Sequence, residues 1–371
     1  MSKQQLQQAV QEQPGYSTWL PFCQLLPKVE LHAHLNGCVR ASTIRELVHS
    51  QQLSSLSEAD IERITSTGHR SLADCFVLFD AVHQLTTKHD TITCITREVI
   101  EDFAAEQTTY LELRTTPKDR PEHGISKRSY MAAVLAGIQQ ARQTQPAAGM
   151  LVKLLLSIDR RNDAAAAMDT VALAIELMPA GVVGVDLSGN PSVGSWATWL
   201  PALQHARQAG LKVTLHAAEV ANYKETHAML DFAPERLCHM CVLDEALQQR
   251  LWASNIPVEL CLTSNVKTNS VPGYVDHHFK QFYAAGHPVV LCTDDSGVFG
   301  TTLSQEYAIA AASFGLEQQQ LIELAARAVE YCFCSEQEKQ KLRQQVLDFR
   351  EAWQQQQQQA QNVPPFICHT S

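Results

Sequence analysis

The sequence predicts a (β/α)8 barrel. Two observations support this fold: eight short apolar runs recur along the chain, and helical patterns lie between most of them. Strands that alternate with helices favour a parallel sheet, and eight such units can close it into a barrel. The chain has 371 residues, and α/β barrels can reach such a length as one domain. We therefore expect a single domain over residues 1–371.

Strands are expected at the short apolar runs, and helices where apolar residues recur every three to four positions. The predicted strands are 29–35, 110–115, 150–158, 182–187, 212–217, 236–239, 257–261 and 289–293. Examples of the predicted helices are 71–87, 90–106, 127–144, 164–178, 195–208, 245–254 and 316–334. A doubly wound open sheet is the alternative fold. It is disfavoured because no Gly-x-Gly-x-x-Gly turn and no Walker A loop follows a strand.

Both ends of the chain are polar and rich in glutamine. Residues 1–15 are expected to form an arm outside the barrel. Residues 336–371 are expected to form a C-terminal helix, over 336–361, and a Gln-rich tail. Six consecutive glutamines, 354–359, are interpreted as a solvated helix end.

Composition disfavours several classes of protein. A net charge of −10 argues against a nucleic-acid polymer as partner, because proteins that bind one present a basic surface. No apolar run is long enough to cross a membrane, and the Gln-rich start lacks the apolar core of a secretory signal. Eleven irregularly spaced cysteines fit reduced thiols better than a disulfide framework. We expect a cytoplasmic monomer without a membrane partner.

The most informative segment is 29–37, VELHAHLNG, in which two histidines lie two residues apart in an apolar run. Side chains on a strand alternate between its two faces, so His32 and His34 point to the same side. Two neighbouring imidazoles can bind one divalent metal ion. The segment therefore indicates metal-assisted hydrolysis.

Catalytic groups of a barrel lie at the carboxyl ends of its strands, and metal-binding side chains recur there in this sequence. The predicted zinc ligands are His32, His34, His216 and Asp294. Three imidazoles and one carboxylate suit a catalytic zinc ion, since they leave a position for water. Zinc is therefore the expected cofactor, one ion per chain.

A hydrolytic site also needs groups that handle protons. Glu219 follows a histidine ligand by three residues and is expected to act as a general acid. His239, from the next strand, and Asp294 are expected to steer the attacking water, and Asp295 is expected to face the substrate. Taken alone, Asp294 and Asp295 would also fit a capping turn. The pair His277–His278, near prolines and a glycine, is expected to lie in a solvated loop.

Together these motifs resemble the adenosine/AMP deaminase family. The segments concerned are 32–37 (HAHLNG), 186–189 (DLSG), 216–219 (HAAE), 238–239 (CH) and 293–295 (TDD). The resemblance implies a zinc-dependent barrel that replaces the amino group at purine C6 by oxygen. It implies that Glu219 protonates purine N1, that Gly189 contacts N3 and that Asp295 faces N7. It also places His239 beside the attacking water and His34 against the substrate.

Three further segments resemble the branch of this family that acts on N6-methyl-AMP: 36–40 (NGCVR), 157–161 (SIDRR) and 263–268 (TSNVKT). Adenosine deaminases carry an aspartate near the ribose 5′ position, where this chain has Asn36. A carboxylate would repel a 5′-phosphate, whereas a neutral amide can donate to it. The resemblance thus implies hydrolysis of N6-methyl-AMP, a small purine nucleotide, to IMP and methylamine. Deamination of adenosine to inosine is the alternative.

A 5′-phosphate needs hydrogen-bond donors, and the end of the helix 71–87 offers an imidazole and two hydroxyls. We expect His83, Thr86 and Thr87 to contact phosphate or ribose. The alternative is an ordinary helix end, where basic residues are favoured by the helix dipole. Asp159 ends a predicted strand and is expected either to bind a ribose hydroxyl or to pair with Arg114.

Two other functions remain as alternatives. One is a different metal-dependent hydrolase, such as a lactonase or phosphotriesterase; the adjacent Asp294 and Asp295 and the position of Glu219 count against it. The other is a catalytically silent relative that serves as a binding module. Such a protein would be expected to lose metal ligands or Glu219, and this chain retains them all.

Overall fold

The structure is a computed structural model, and it describes residues 16–51, 62, 66, 68 and 71–361. The predicted arm at 1–15 and the last part of the Gln-rich tail, 362–371, lie outside the described residues. Within the described part, eight parallel strands form one sheet in which each strand pairs with the next in chain order. This sheet, with its surrounding helices, confirms the predicted (β/α)8 barrel.

The strands lie close to the predicted positions. They are β1 (Lys28–His34), β2 (Thr108–Thr115), β3 (Leu151–Asp159), β4 (Val182–Ser188), β5 (Lys212–Ala217), β6 (Arg236–His239), β7 (Val258–Leu260) and β8 (Val289–Leu291). The last two are shorter than expected for a local reason. Cys261 is the residue before a short helix, and the chain leaves the sheet at Asp294, whose φ is 64°.

The helices before the fifth strand are α1 (Tyr16–Leu25), α2 (Ala41–Gln51), α3 (Leu72–Leu85), α4 (His89–Ala105), α5 (Lys127–Ala141), α6 (Ala164–Glu176) and α7 (Trp196–Gln208). Those after it are α8 (Tyr223–Phe232), α9 (Glu245–Ser254), α10 (Leu262–Lys267), α11 (Phe279–Ala284), α12 (Ser296–Phe299), α13 (Leu303–Phe314), α14 (Gln318–Ala328) and α15 (Glu336–Gln361). None of the helices in the described ranges combines the length and the apolar character needed to cross a bilayer.

Helix α3 shows how local sequence sets an element next to the site. Ser71 accepts a hydrogen bond from the backbone N–H of Asp74, whose carboxylate accepts one in return from the backbone of Ser71. This reciprocal pair satisfies two N–H groups at the helix start and explains why the helix begins there. The helix ends at Leu85, so Thr86 and Thr87 follow it rather than belonging to it.

The barrel closes between its first strand and the segment after its last. Ala33 and Asp294 form a parallel bridge, in which the N–H of Asp294 donates to the carbonyl of His32 at 2.8 Å. The N–H of His34 donates back to the carbonyl of Asp294 at 3.1 Å. Closure therefore places the two histidines of β1 beside an aspartate that lies 260 residues later in the chain.

Apolar side chains between the sheet and the helices form the main core, and the C-terminal helix extends it. Phe349 and Trp353 of α15 pack on Phe22 of α1, with ring centroids 5.8 and 4.9 Å apart. Edge-to-face aromatic contacts of this kind contribute roughly 0.5–1.5 kcal/mol beyond the area they bury. They attach the otherwise polar α15 to the barrel.

Candidate active site

Four metal-binding side chains converge at the carboxyl end of the barrel. His32 and His34 come from β1, His216 from β5, and Asp294 follows β8. The Nε2 atom of His34 lies 3.2 Å from the Nε2 atoms of both other histidines. One carboxylate oxygen of Asp294 lies 3.3 Å from His32 Nε2 and 3.5 Å from His34 Nε2. The structure thus brings together all four residues predicted as ligands.

These spacings fit a shared metal ion. Bonds of about 2.1 Å that meet at roughly 100° place two donor atoms about 3.2 Å apart, which is the distance between the histidine nitrogens. All four donor atoms lie within 4.8 Å of one another. Three imidazole nitrogens and one carboxylate form the mixed N/O donor set that divalent transition metals prefer. The residues present therefore fit a cation at their centre.

Neighbouring carboxylates fix which histidine nitrogen faces that centre. His32 Nδ1 lies 2.9 Å from Glu259 Oε2, and His216 Nδ1 lies 2.9 Å from Asp186 Oδ1. A carboxylate only accepts, so each Nδ1 carries the proton and each Nε2 is left with a lone pair. Ser264 Oγ donates to the second oxygen of Asp294 at 2.7 Å, which orients that carboxylate too.

A buried ion network beneath the histidines holds these outer carboxylates. The guanidinium of Arg114 donates to Glu259 and lies 3.3 Å from Asp186 Oδ1, and Arg236 pairs with Glu259 and Glu112. All five side chains are fully buried. Although burial alone would raise the pKa of Glu259, the charges of Arg114 and Arg236 hold it well below its ordinary value. The network therefore keeps the partner of His32 ionised.

Sequence reasoning missed most of this network. Glu112 and Arg114 alternate with apolar residues on β2, Arg236 begins β6, and Glu259 lies between two apolar residues on β7. Such a period of two could have indicated charged side chains that point into the barrel. Asp186 lies in a segment quoted for the family resemblance, but its contact with His216 was not expected.

A cavity opens directly above the metal-binding group. The predicted site residues that line it are His34, Asn36, His83, Asp159, Gly189, His216, Glu219, His239, Asp294 and Asp295. The apolar side chains of Leu72, Phe76 and Phe79, all on α3, cover one wall.

Two acidic side chains in the cavity differ from ordinary carboxylates. Burial raises the pKa of Glu219 above its usual value, which favours the protonated form. Burial and the neighbouring charge of Asp294 also raise the pKa of Asp295 well above its usual value. Gly37 makes room for Asp295, since a Cβ atom at Gly37 would lie only 1.6 Å from its Oδ1. This explains why a glycine follows Asn36 in the motif.

Three basic side chains, His83, Lys118 and Arg161, lie near one another where α3 meets the ends of β2 and β3. Lys118 and Arg161 both lie near enough to His83 to lower its pKa, together with its burial. Burial lowers the pKa of Lys118 itself to about 8. Arg161 pairs with Asp159 at 2.7 Å and with Asp80 at 3.0 Å. Lys118 and Arg161 were not predicted from the sequence.

Several expectations about this end of the cavity need correction. Asp159 pairs with Arg161, so the expected alternative of an Asp159–Arg114 pair is wrong. Thr86 Oγ1 donates to the carbonyl of Val82 at 3.1 Å. Neither Thr86 nor Thr87 is among the residues that line the cavity. Both follow the last residue of α3 and are buried in the protein. The structure therefore does not bring these two threonines to the site.

The amide of Asn36 lies against the hydroxyl of Tyr130, and its own Oδ1 has no hydrogen-bond partner among the described residues. A buried amide oxygen without a partner is costly, so a ligand hydroxyl that donates to it would be favoured.

His277 and His278 were expected to be solvated, which is wrong. Their rings stack with centroids 4.2 Å apart, and His277 is only 1% exposed.

Comparison with known proteins agrees with this geometry. The model of the family described as adenosine deaminase matches residues 27–349. An N6-mAMP deaminase from Arabidopsis thaliana is 48% identical over 344 residues, which cover 87% of this chain and 97% of that protein. A human N6-methyl-AMP deaminase is 41% identical over 87% of this chain and 93% of its own length. A crystal structure of Arabidopsis ADAL complexed with IMP, 49% identical, covers 88% of this chain and 97% of that chain with a TM-score of 0.85. The chain therefore belongs to the adenosine deaminase family.

Proposed function

We propose that this protein hydrolyses the bond between purine C6 and the exocyclic nitrogen of N6-methyl-AMP, giving IMP and methylamine. One water molecule is consumed: its oxygen bonds to C6, and the C6–N6 bond breaks. The observation that carries the proposal is that the metal-binding group and Glu219 line one and the same cavity. Relatives named for N6-methyl-AMP deaminase activity, at 41–48% identity over most of the chain, support this substrate.

We further propose that the metal is one zinc ion per chain, bound by His32, His34, His216 and Asp294. A zinc ion bound there would supply the Lewis acidity that makes water nucleophilic at neutral pH. The donor set supports zinc, since it combines imidazoles with one carboxylate and lacks a thiolate. All four of these ligands come from one chain, which supports a metal site that a single chain can complete by itself.

The remaining residues bind the purine and move protons. Glu219, whose raised pKa favours the protonated carboxyl, is placed to give its proton to N1, which increases the positive character of C6. His239 and Asp294 flank the oxygen that adds to C6. Asp295 and the backbone of Gly189 hold the ring at N7 and N3, and the φ of 97° at Gly189 suits a residue without a side chain.

We propose that the phosphate lies at the basic cluster formed by the neutral imidazole of His83 and the cations of Lys118 and Arg161. His83 and Arg161 of this cluster line the same cavity as the metal-binding group, and Lys118 lies near His83, so a nucleotide can extend from one group to the other. Asn36 borders the path between them, and its unpartnered amide oxygen suits a ribose hydroxyl. The neutral Asn36 and the nearby cations favour a nucleoside monophosphate over a nucleoside.

The experiment that tests this function compares kcat/KM for N6-methyl-AMP, AMP, N6-methyladenosine and adenosine, with formation of IMP or inosine as readout. We expect N6-methyl-AMP to be used best, and each nucleotide to exceed its own nucleoside by at least about tenfold, the value of one charge-assisted hydrogen bond. Higher kcat/KM for adenosine than for N6-methyl-AMP would favour the alternative, an adenosine deaminase. No turnover of any of the four would refute a purine deaminase.

The replacement Lys118→Met should weaken phosphate recognition selectively. Methionine is similar in length to lysine but has no charge, so the change removes one cation from the basic cluster. We expect KM for N6-methyl-AMP to rise by about 10- to 100-fold, the range for a hydrogen bond to a charged group. Turnover of N6-methyladenosine, which has no phosphate, should stay within about threefold. The matched control is Lys127→Met, because Lys127 pairs with Asp169 on the outer helices. Equal losses for nucleotide and nucleoside would contradict the assignment.

A further inference from the structure

His239 is held by an unusual backbone. It ends β6 with a φ of 66°, and Met240 follows with a φ of 53°, so two consecutive residues with side chains lie in the left-handed region. Such conformations cost about 1–3 kcal/mol each and persist where the surroundings impose them. Here the carbonyl of His239 accepts a hydrogen bond of 2.6 Å from His278 Nε2. The segment before α11 therefore holds the main chain of His239 in place.

The same segment also determines which ring nitrogen of His277 carries the proton. The backbone N–H of Phe279 donates to His277 Nδ1 at 3.0 Å. A backbone N–H can only donate, so Nδ1 of His277 carries no proton. In a neutral imidazole the proton then lies on Nε2. Burial lowers the pKa of His277 well below its usual value, which agrees with the neutral form.

The hydrogen bonds continue from His277 through Asn265 to His239, and each one determines the direction of the next. His277 Nε2–H faces the Asn265 Oδ1 atom at 3.1 Å, which uses the oxygen of that amide as an acceptor. The amide nitrogen, Nδ2, is then the atom directed at His239 Nδ1, at 3.2 Å. An amide N–H donates, so His239 Nδ1 accepts and its ring proton lies on Nε2. Asn265 and His277 are 2% and 1% exposed, so bulk water does not compete for these bonds.

We propose that Asn265 and His277 are positioning residues that fix His239 in the tautomer whose Nε2–H is left for the cavity. If the proposed function holds, this tautomer makes His239 a hydrogen-bond donor to the oxygen that adds to purine C6. Negative charge on that oxygen would be stabilised by such a donor and repelled by a nitrogen lone pair. The backbone N–H of Phe279 thus determines, through His277 and Asn265, how His239 meets the substrate.

The tautomer can be measured directly in the metal-loaded protein labelled with 15N-histidine. The signals of His239 are assigned by their disappearance in His239→Gln. We expect a protonated Nε2 and an unprotonated Nδ1. A protonated Nδ1 at His239 would overturn the inference and leave the proposed function untouched. The expected tautomer in a protein without deaminase activity would support the inference while refuting the function.

Two variants test the hydrogen bonds that lead from His277 through Asn265 to His239. In His277→Phe the amide of Asn265 loses the bond that sets its direction, and in Asn265→Leu the donor to His239 is removed. Both should show a new population with the proton on Nδ1, and kcat should fall about 10- to 100-fold, as for lost outer partners of active-site histidines. KM should change less than about threefold. The matched control, His287→Phe, removes a buried histidine that donates to Ile256 elsewhere. An unchanged tautomer and kcat in both variants would overturn the inference.

Discussion

Replacing Glu219 by glutamine should lower kcat by about 10²- to 10⁴-fold, the usual contribution of a positioned acid or base. Glutamine has nearly the same shape and can still donate a hydrogen bond to purine N1, so KM should change little. It cannot give up a proton, however, and C6 would then lose the activation that protonation of N1 supplies. Steady-state kinetics with N6-methyl-AMP give the kcat and KM values that check this.

Metal content separates this loss from damage to the site. Glu219 is not among the four clustered ligands, so the variant should retain as much metal as the unaltered protein. Glu245→Gln is the matched control, because Glu245 lies exposed at the start of α9 and should tolerate the change. Turnover within about threefold of the unaltered protein in Glu219→Gln would refute the role of Glu219 as the acid.

Removal of the metal should abolish turnover and lower the thermal stability. After treatment with a chelator, the nitrogens of His32, His34 and His216 would face one another without a shared cation. A ligand at 1,000 times its dissociation constant stabilises the folded state by about 4 kcal/mol, so the loss should be visible as a lower Tm. Addition of Zn²⁺ should restore both turnover and Tm. The measurements are activity, differential scanning calorimetry and elemental analysis.

Histidine variants show whether the ion occupies the predicted position. His216→Ala removes one of the four donors and should lose bound metal, since metal sites depend on each ligand. His205→Ala, the matched control, removes an exposed histidine from α7 and should retain one equivalent of zinc per chain. Full turnover by metal-free protein, or undiminished zinc binding by His216→Ala, would contradict the site as assigned.

Local patterns were sufficient to predict the fold and its strands, together with part of its helices. The strands at 212–217 and 236–239 and the helices at 245–254 and 336–361 have the predicted bounds. Each of these is set by its own local residue pattern or composition. The expected strand at 289–293 was too long, because the chain turns out of the sheet to bring Asp294 to His32. That turn depends on barrel closure, which a local pattern does not contain.

The motifs likewise predicted which groups meet around the metal. The carboxyl ends of all strands in such a barrel lie on one face. This rule predicts that His32, His216 and Asp294 are neighbours although they are distant in the sequence. The same rule predicted that Glu219 and His239 border the cavity. The phosphate contacts were harder to predict, because a helix end beside a cavity and a helix end beside the core have similar sequences. Thr86 and Thr87 are of the second kind.

By itself, the sequence determined the barrel, the family and the residues that can chemically bind a metal, since these depend on residue type, period and order. Only the tertiary structure decided how those residues are oriented. Glu259 orients His32 and Asn265 orients His239 through contacts between segments that no spacing connects. The physical reason is that a hydrogen bond has a direction and a short range, so its partner is known only when the chain has closed around it.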